Sequence, residues 1–306
     1  MIDFTNCKRL LTKAYSGANG KKIAVEYEGE QYMLKFPPSG KERKTELSYI
    51  NSCYSEHLGS SIFNMLGINA QKTMLGTFTV DNKEKVVCAC ADFTADGKIL
   101  YDFCAIKNTV IDSEHGGTGT ELSDILDTIE KQTFVDPQML LEHFWDMFVV
   151  DAFLGNFDRH NGNWGFLIDS TTNKAEIAPI YDCGSCLLPQ ADAGVMQEVL
   201  SDEDKLNARI YRFPTSIIKI NDMKISYHNF LCSASNEDCN EALKRIVPRI
   251  QMDEIDAFID GIEPLTELQK AFYKCYLAGR YEKILLPAYA QVMDESEEEA
   301  LTIKPL

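Results

Sequence analysis

The sequence predicts an α+β fold with a small, β-rich N-terminal lobe and a larger, mostly helical C-terminal lobe. Three observations lead to this prediction. Up to residue 91, short alternating runs flank a single helical stretch, whereas helical periodicity dominates the rest of the chain. The length of 306 residues also favours two lobes over one small module. The composition, 45% hydrophobic and 25% charged, is ordinary for a globular protein with a sizeable core.

The predicted N-terminal lobe, residues 1–91, consists of a hairpin, a helix and a second hairpin. Glu28-Gly29-Glu30 and Asp81-Asn82 supply the turns of the hairpins, and Gly67 is the expected C-cap of the helix. Residues 92–97 are a polar connector ending in glycine, which we interpret as the hinge between the lobes. The predicted elements are Lys22 to Tyr27, Gln31 to Phe36, Glu46 to Leu66, Thr73 to Val80 and Lys85 to Ala91.

The predicted C-terminal lobe, residues 98–293, is mainly helical and precedes an acidic tail, residues 294–306, that we expect to fray. Gly116 to Gly119 are expected to form a flexible loop. Asp136 and Pro137 fit the N-cap and first position of a helix that runs to Leu154. A short hairpin follows. The remaining predicted elements are helices at Glu121 to Lys131, Asn236 to Ile246, Asp253 to Ile259 and Glu267 to Tyr276, with hairpin strands at Trp164 to Ile168 and Ala175 to Ile180.

The stretch Asn156-Phe157-Asp158-Arg159-His160-Asn161-Gly162-Asn163 carries the strongest chemical signal. Asn163 lies five positions after Asp158, and Asp182 opens an Asp-Cys-Gly sequence 24 residues after Asp158. In phosphoryl transfer, one Asp accepts the hydroxyl proton, while an Asn and a second Asp hold Mg²⁺ against a triphosphate. Magnesium binds through one or two carboxylates plus phosphates, so this set suffices. Taken alone, Asp182 fits an Asx turn. The joint pattern instead predicts Asp158 as the catalytic aspartate that accepts this proton, with Asn163 and Asp182 as metal ligands.

Lys35 and Glu56 supply a second part of such a site. Lys35 lies among apolar residues of a predicted strand, where it could bind α- and β-phosphates if a carboxylate held it. Glu56 lies at the edge of the apolar face of the predicted helix, and burying it requires a cation. An ordinary salt bridge is the alternative for this pair. The order of lysine strand, glutamate helix, connector and Asp158 loop favours a nucleotide site.

Two weaker signals flank this set. Gly17, Asn19 and Gly20 precede the first strand, and small residues there let backbone N–H groups approach phosphates, although any turn can have this composition. His160 joins the catalytic set, and its alternative is a loop histidine that hydrogen-bonds backbone and stiffens the turn. Arg159 can pair with a carboxylate or a phosphate.

The sequence Asn-x-Asp-Arg-His-x-x-Asn, followed by Ile180-Tyr181-Asp182-Cys183-Gly184, resembles the HipA-like serine/threonine kinase family. Further similar stretches cover nearly the whole chain. The resemblance implies a bilobal protein-kinase-like fold, of the HipA and phosphatidylinositol kinase type, with ATP and Mg²⁺ between the lobes. By position it implies that Lys35 contacts ATP phosphates, that Glu56 orients Lys35, and that Asp92 and Phe93 lie at the adenine hinge. The additional N-terminal domain of longer HipA proteins is missing, so we do not expect their DNA associations here.

Composition and charge exclude several other classes of protein. A net charge of −17 argues against nucleic-acid binding, which needs concentrated Lys and Arg. The ten cysteines do not form a disulfide pattern, and Cys183 with Cys186 lacks a second pair for zinc, so we expect reduced thiols. No signal peptide or membrane span is evident. We expect a cytoplasmic protein, with translocation or secretion as an effector, without a signal peptide, as the alternative.

The predicted function is therefore an ATP- and Mg²⁺-dependent protein kinase that acts on Ser or Thr acceptors, with self-phosphorylation as a further expectation. Two alternatives use the same residues. A phosphatidylinositol-type lipid kinase shares the Asp-Arg-His-x-x-Asn sequence, but the acidic charge disfavours docking on anionic membranes. A nucleotide-binding effector without turnover is the second alternative, and it is disfavoured because every catalytic position is filled.

Overall fold

The computed structural model describes residues 1–15, 21–37 and 50–302, with side chains to residue 294. Its fold has the two predicted parts, a β-sheet lobe and a larger, mostly helical lobe. The loop containing Gly17, Asn19 and Gly20 lies outside the described residues, as do residues 46–49 of the predicted helix.

The N-terminal lobe is built on a six-stranded sheet in the order β1-β5-β6-β4-β3-β2, in which only β1 and β5 pair in parallel. Both predicted hairpins are present. Their turns place Glu28 and Gly29, and likewise Asp81 and Asn82, at positive φ, as two-residue hairpin loops require. The strands are β1 (Ile2–Asp3), β2 (Lys8–Arg9), β3 (Lys22–Tyr27), β4 (Glu30–Lys35), β5 (Thr73–Val80) and β6 (Lys83–Ala91).

The alternation along β4 separates the two faces of this sheet. Leu34 belongs to an apolar cluster with aromatic neighbours, including Phe36 and Phe78, on one face. Met33 lies on the opposite face, next to a small cluster of buried cysteines that includes Cys53 of helix α1 (Ser52–Met65). Because side chains alternate along a strand, Lys35 shares the face of Met33 and is directed toward α1. Helix α1 ends as predicted before Gly67, which has φ +77.

The C-terminal lobe is organised around helix α4 (Pro137–Leu154), whose second half is almost entirely buried. The predicted N-cap is present, because Asp136 accepts a hydrogen bond from the Met139 N–H at 2.9 Å, and Gly155 ends the helix with φ +64 after the last turn. A helix that is apolar on all sides needs neighbours on all sides, and α4 is surrounded by other helices of the lobe.

The other helices of this lobe agree with the predicted segments to within a few residues and add several that the sequence pattern did not indicate. They are α2 (Phe103–Val110), α3 (Leu122–Lys131), α5 (Ala193–Ser201), α6 (Glu203–Asn207), α7 (Tyr227–Leu231), α8 (Glu237–Ile246), α9 (Met252–Asp260), α10 (Glu267–Arg280) and α11 (Leu286–Thr302). Short 3₁₀ turns occupy Gly116–Thr118 and Val247–Arg249, and π-helical turns occupy Ala208–Arg212 and Tyr281–Leu285. The backbone of the acidic run from residue 294 to 302 continues α11.

A three-stranded sheet joins the connector to the catalytic region. The connector at residues 92–97 leads into β7 (Lys98–Asp102), which pairs with β8 (Gly165–Asp169), and β8 pairs with β9 (Ala175–Ile177). The sequence predicted the β8–β9 hairpin but not β7, because the apolar Ile99 and Tyr101 face outward on this edge strand. A two-residue ladder, β10 (Lys219–Ile220) with β11 (Met223–Lys224), completes the strands.

Two further findings concern expectations from composition. The loop at Gly116–Gly119 is not a loose one, because a Cβ on Gly117 would lie 2.0 Å from the Cys104 carbonyl oxygen. All ten cysteines are free, as expected. Across the described residues, none of the helices combines the length and the apolar character needed to cross a bilayer.

Candidate active site

The loop after α4 is held in place by a fully buried arginine. The Arg159 guanidinium donates to both carboxylate oxygens of Asp151 on α4, at 2.9 and 3.2 Å. It also donates to the carbonyl oxygens of Asn163 at 2.9 Å and of Tyr181 at 2.5 Å. Burial disfavours the charge of Arg159, but the Asp151 carboxylate outweighs it and raises the pKa of Arg159. Of the two predicted partners for Arg159, the structure therefore selects the carboxylate, and Arg159 ties α4, the loop and the Asp182 segment together.

Within this loop, Asp158 and Asn163 are adjacent. The Asn163 side-chain amide donates to the Asp158 carbonyl at 2.8 Å, so its oxygen is the end left to accept or to bind a metal. The Asp158 carboxyl is half-buried. Desolvation and the nearby Asp182 charge raise its pKa, although His160 opposes the shift. A carboxylate with a raised pKa is a better proton acceptor.

Lys35 connects the two lobes at this point. Its Nζ atom lies 2.8 Å from Glu56 Oε2 and 2.8 Å from Asp182 Oδ1, although Lys35 and Asp182 are 147 residues apart in sequence. The Lys35 ammonium lowers the pKa of Asp182 to about 2. Desolvation works against the charge on Lys35, but Asp182 and Glu56 overcome it and raise the pKa of Lys35. Three of the residues that the sequence assigned to one cleft, Lys35, Glu56 and Asp182, therefore form one ion-pair cluster.

Helix α1 approaches the Asp182-Cys183-Gly184 segment unusually closely. A Cβ on Gly59 would lie 2.8 Å from Cys183 Cβ, and a Cβ on Gly184 would lie 3.1 Å from Glu56 Oε2. Asp182 itself has φ +56, a conformation that Asp tolerates better than most side chains. The missing side chains on the two glycines let the helix place Glu56 beside Lys35.

His160 has the structural role that the sequence analysis kept as its alternative. Its Nδ1 accepts a hydrogen bond from the Gly162 N–H at 3.0 Å, which stiffens the turn between Asp158 and Asn163. This bond places the proton of the neutral ring on Nε2. Asn161, next in the chain, donates to the carbonyl oxygens of Gly117 and Gly119 at 2.7 and 2.8 Å.

Asp92 and Phe93 open the connector, directly after strand β6 of the N-terminal lobe. The Asp92 carboxylate accepts from Tyr15 at 2.6 Å and is ion-paired with Lys13, and its N–H donates to the Gln31 carbonyl at 2.9 Å. Asp92 is thus engaged within the N-terminal lobe. The Phe93 ring lies against the Tyr181 ring, with centroids 5.8 Å apart, so Phe93 is the part of the connector that faces the catalytic segment.

Sequence reasoning missed several residues of this site. Asp151 is an acid on the buried face of an apolar helix, a signal that could have indicated a partner such as Arg159. Lys22 lies directly across the ladder from Lys35, and the register could have indicated that both share a face. Tyr181 donates to the Gly162 carbonyl at 3.0 Å, but the sequence carries no signal for this contact.

The donor set fits magnesium better than zinc. Among the residues that the structure describes, no group of three His, Cys, Asp or Glu side chains is arranged to hold a metal. Asp182, whose side chain is 43% exposed, and the buried Asn163 offer one carboxylate and one amide oxygen. Hard oxygen donors in this number are what Mg²⁺ takes from a protein when phosphates supply the rest.

Fold and site together are those of a protein-kinase-like protein. The chain matches the family model for the HipA-like C-terminal domain over residues 14–253. It is 49% identical to the serine/threonine-protein kinase CtkA of Helicobacter pylori strain J99 over 296 residues, which cover 96% of this chain and 90% of that protein. The chain therefore belongs to the HipA-like C-terminal domain family, and it is a protein kinase.

Two solved structures agree with this. The crystal structure of a Helicobacter pylori proinflammatory kinase CtkA matches with a TM-score of 0.91 at 48% identity, covering 96% of this chain and 98% of that one. HipA of Shewanella oneidensis MR-1, solved with HipB and operator DNA, matches with a TM-score of 0.56 at 17% identity, covering 94% of this chain and 67% of that one. The second match shows a shared fold alone. The predicted family and fold are confirmed.

Proposed function

We propose that this protein is an ATP- and Mg²⁺-dependent kinase that transfers the γ-phosphoryl group of ATP to Ser or Thr hydroxyls of a protein. The observation that carries the proposal is the cluster in which Lys35 Nζ lies 2.8 Å from both Glu56 and Asp182. It brings a phosphate-binding cation from one lobe to a metal-binding carboxylate from the other.

In this proposal Asp158 orients the acceptor hydroxyl and takes its proton. The raised pKa of Asp158 supports this role, since desolvation makes the carboxylate a stronger proton acceptor. Arg159 and His160 are the supporting members of the catalytic set. They hold the loop so that Asp158 and Asn163 keep a fixed spacing, which reduces the entropic cost of bringing the reacting groups together.

Asn163 and Asp182 would hold Mg²⁺, which when bound offsets the charge of the β- and γ-phosphates. Lys35 binds the α- and β-phosphates, and Glu56 keeps the Lys35 ammonium in the cleft. Phe93 contacts the adenine, while Asp92 maintains the shape of the connector through its bonds to Tyr15 and Lys13. Residues 1–91, 92–97 and 98–293 are the lobe, hinge and lobe of this proposal. Gly17, Asn19 and Gly20 complete the set of proposed nucleotide-binding residues.

The test is single-turnover transfer of phosphate from Mg-ATP to a basic model protein. We expect Asp158→Ala to lower the rate by at least about a thousandfold, because both proton acceptance and orientation are lost. Asp127→Ala, on the exposed face of α3, is the matched control and should react like the wild type. Equal rates for Asp158→Ala and the wild type would end the assignment.

Two further measurements separate the alternatives. Calorimetry should show that Asp182→Ala removes the Mg²⁺-dependent part of ATP affinity, and an unchanged affinity would contradict its role as a ligand. Intact-mass measurement after incubation with Mg-ATP reports self-phosphorylation. Phosphoinositide vesicles assayed beside the protein acceptor would reveal a lipid kinase, and ATP binding without any product would indicate an effector without turnover.

A further inference from the structure

Lys22 and Lys35 form a like-charge pair on the face of the sheet that lines the cleft. The β3–β4 register places Lys22 directly opposite Lys35. Directly opposed residues of an antiparallel pair point to the same face, with Cβ atoms about 4.5–5.5 Å apart, and like charges there are destabilising. Lys22 is half-buried, so it is not simply extended into water.

The electrostatic surroundings of Lys22 are those of the cleft. Desolvation and then the Lys35 charge lower the pKa of Lys22, while Asp182 and Glu56 partly counteract them. Those two carboxylates lie 2.8 Å from Lys35 Nζ. The N-terminal wall of the cleft therefore carries two opposed lysines on one face of the sheet, whereas Asp158 and Asp182 belong to the C-terminal lobe.

The neighbouring Lys21 shows that this placement is specific. Its Nζ atom lies over the Phe36 ring, 5.3 Å from the centroid, on the face that carries the aromatic cluster. Successive residues of a strand alternate between faces, so Lys21 and Lys22 point to opposite sides. The charge repulsion on the cleft side is offset if a polyanion binds there.

We propose that Lys22 is a second lysine that binds the phosphate chain of the nucleotide, beside Lys35. The inference rests on the proposed function, because it takes the polyanion to be the triphosphate of ATP. The ligand class is a nucleoside triphosphate, and the part that Lys22 recognises is its phosphates. A contact between a charged donor and phosphate oxygens makes affinity depend on charge and on salt.

The experiment measures binding to the full chain by calorimetry with the non-hydrolysable analogue adenylyl imidodiphosphate plus Mg²⁺, and separately with adenosine. We expect Lys22→Met to weaken binding of the analogue about tenfold or more and to leave adenosine binding unchanged. Lys22→Arg should restore most of the affinity. Lys21→Met, which removes the same charge from the other face, should bind both ligands like the wild type.

Thermal unfolding separates a binding role from a structural one. The melting temperature of the ligand-free Lys22→Met protein measures any structural effect of the substitution, and the binding role is measured by the shift that the analogue produces, which should shrink. Analogue affinity in Lys22→Met equal to wild type overturns the inference and leaves the proposed function intact. An equal loss in Lys21→Met also overturns it, since net charge would then be the cause. Failure of the wild type to bind the analogue overturns both proposals.

Discussion

Replacing Arg159 with Met should destabilise the protein and release the catalytic loop at the same time. The guanidinium is fully buried and makes two hydrogen bonds to Asp151 and one to each of two carbonyl oxygens, those of Asn163 and Tyr181. The variant leaves the Asp151 charge buried, and the side-chain hydrogen bond that remains to it among the described residues comes from the neutral amide of Asn156. A buried carboxylate without a counter-charge is far more costly than an exposed one.

The magnitude follows from these contacts. Breaking a buried ion pair by removing one partner costs about 3–5 kcal/mol. The two carbonyl oxygens that lose their donor add about 1 kcal/mol or more between them. We therefore expect Arg159→Met to lose about 4–6 kcal/mol of unfolding free energy, a large part of the total of a typical domain. Asp151→Asn added to Arg159→Met should cost less than about 1 kcal/mol further, because the uncompensated charge is then gone.

Urea unfolding followed by tryptophan fluorescence measures these values, provided that the variants share one m-value. Lys131→Met is the control, because its ion pair with Asp127 is exposed and should contribute less than about 0.5 kcal/mol. Additive effects of Arg159→Met and Asp151→Asn would refute the reasoning, since a shared buried pair must couple. Single-turnover phosphate transfer should fall about a hundredfold in Arg159→Met, as expected for a misplaced loop.

Two further predictions address helix α1. Burial lowers the pKa of His57 to about 4, so the folded state stays neutral while the unfolded state binds a proton below about pH 6.5. The contribution of neutral His57 to the free energy of unfolding is therefore fully present above that pH and is lost as the pH falls toward 4. Urea unfolding should show that the free energy of unfolding of the wild type drops by about 2 kcal/mol more than that of His57→Gln between about pH 7 and about pH 5. Gly59→Ala should destabilise the protein by about 1–2 kcal/mol despite its better helix propensity, because its Cβ would meet Cys183. A higher melting temperature for Gly59→Ala would show that α1 can shift without cost.

Local chemistry determined much of the fold in advance. The Asp81-Asn82 pair indicated the β5–β6 turn, where both residues have positive φ, and Asp136 with Pro137 located the start of α4 correctly. Each of these signals acts within a few residues, so it can be read without knowing what packs against it. Strand β7 was not predicted, because its apolar residues Ile99 and Tyr101 are exposed, whereas the alternation rule expects the apolar residues of a strand to face the core.

For the site, the sequence by itself determined which residue types were available and in which order. Asp158 and Asn163 are held by a bond within one loop, so their proximity follows from spacing alone. Only the tertiary structure decided that Lys35 contacts Asp182, which is 147 residues away in the sequence. It also decided that Arg159 pairs with Asp151. The physical reason is that a buried charge pairs with the opposite charge that the packing of separate elements brings close to it. That packing depends on contacts between segments far apart in the sequence.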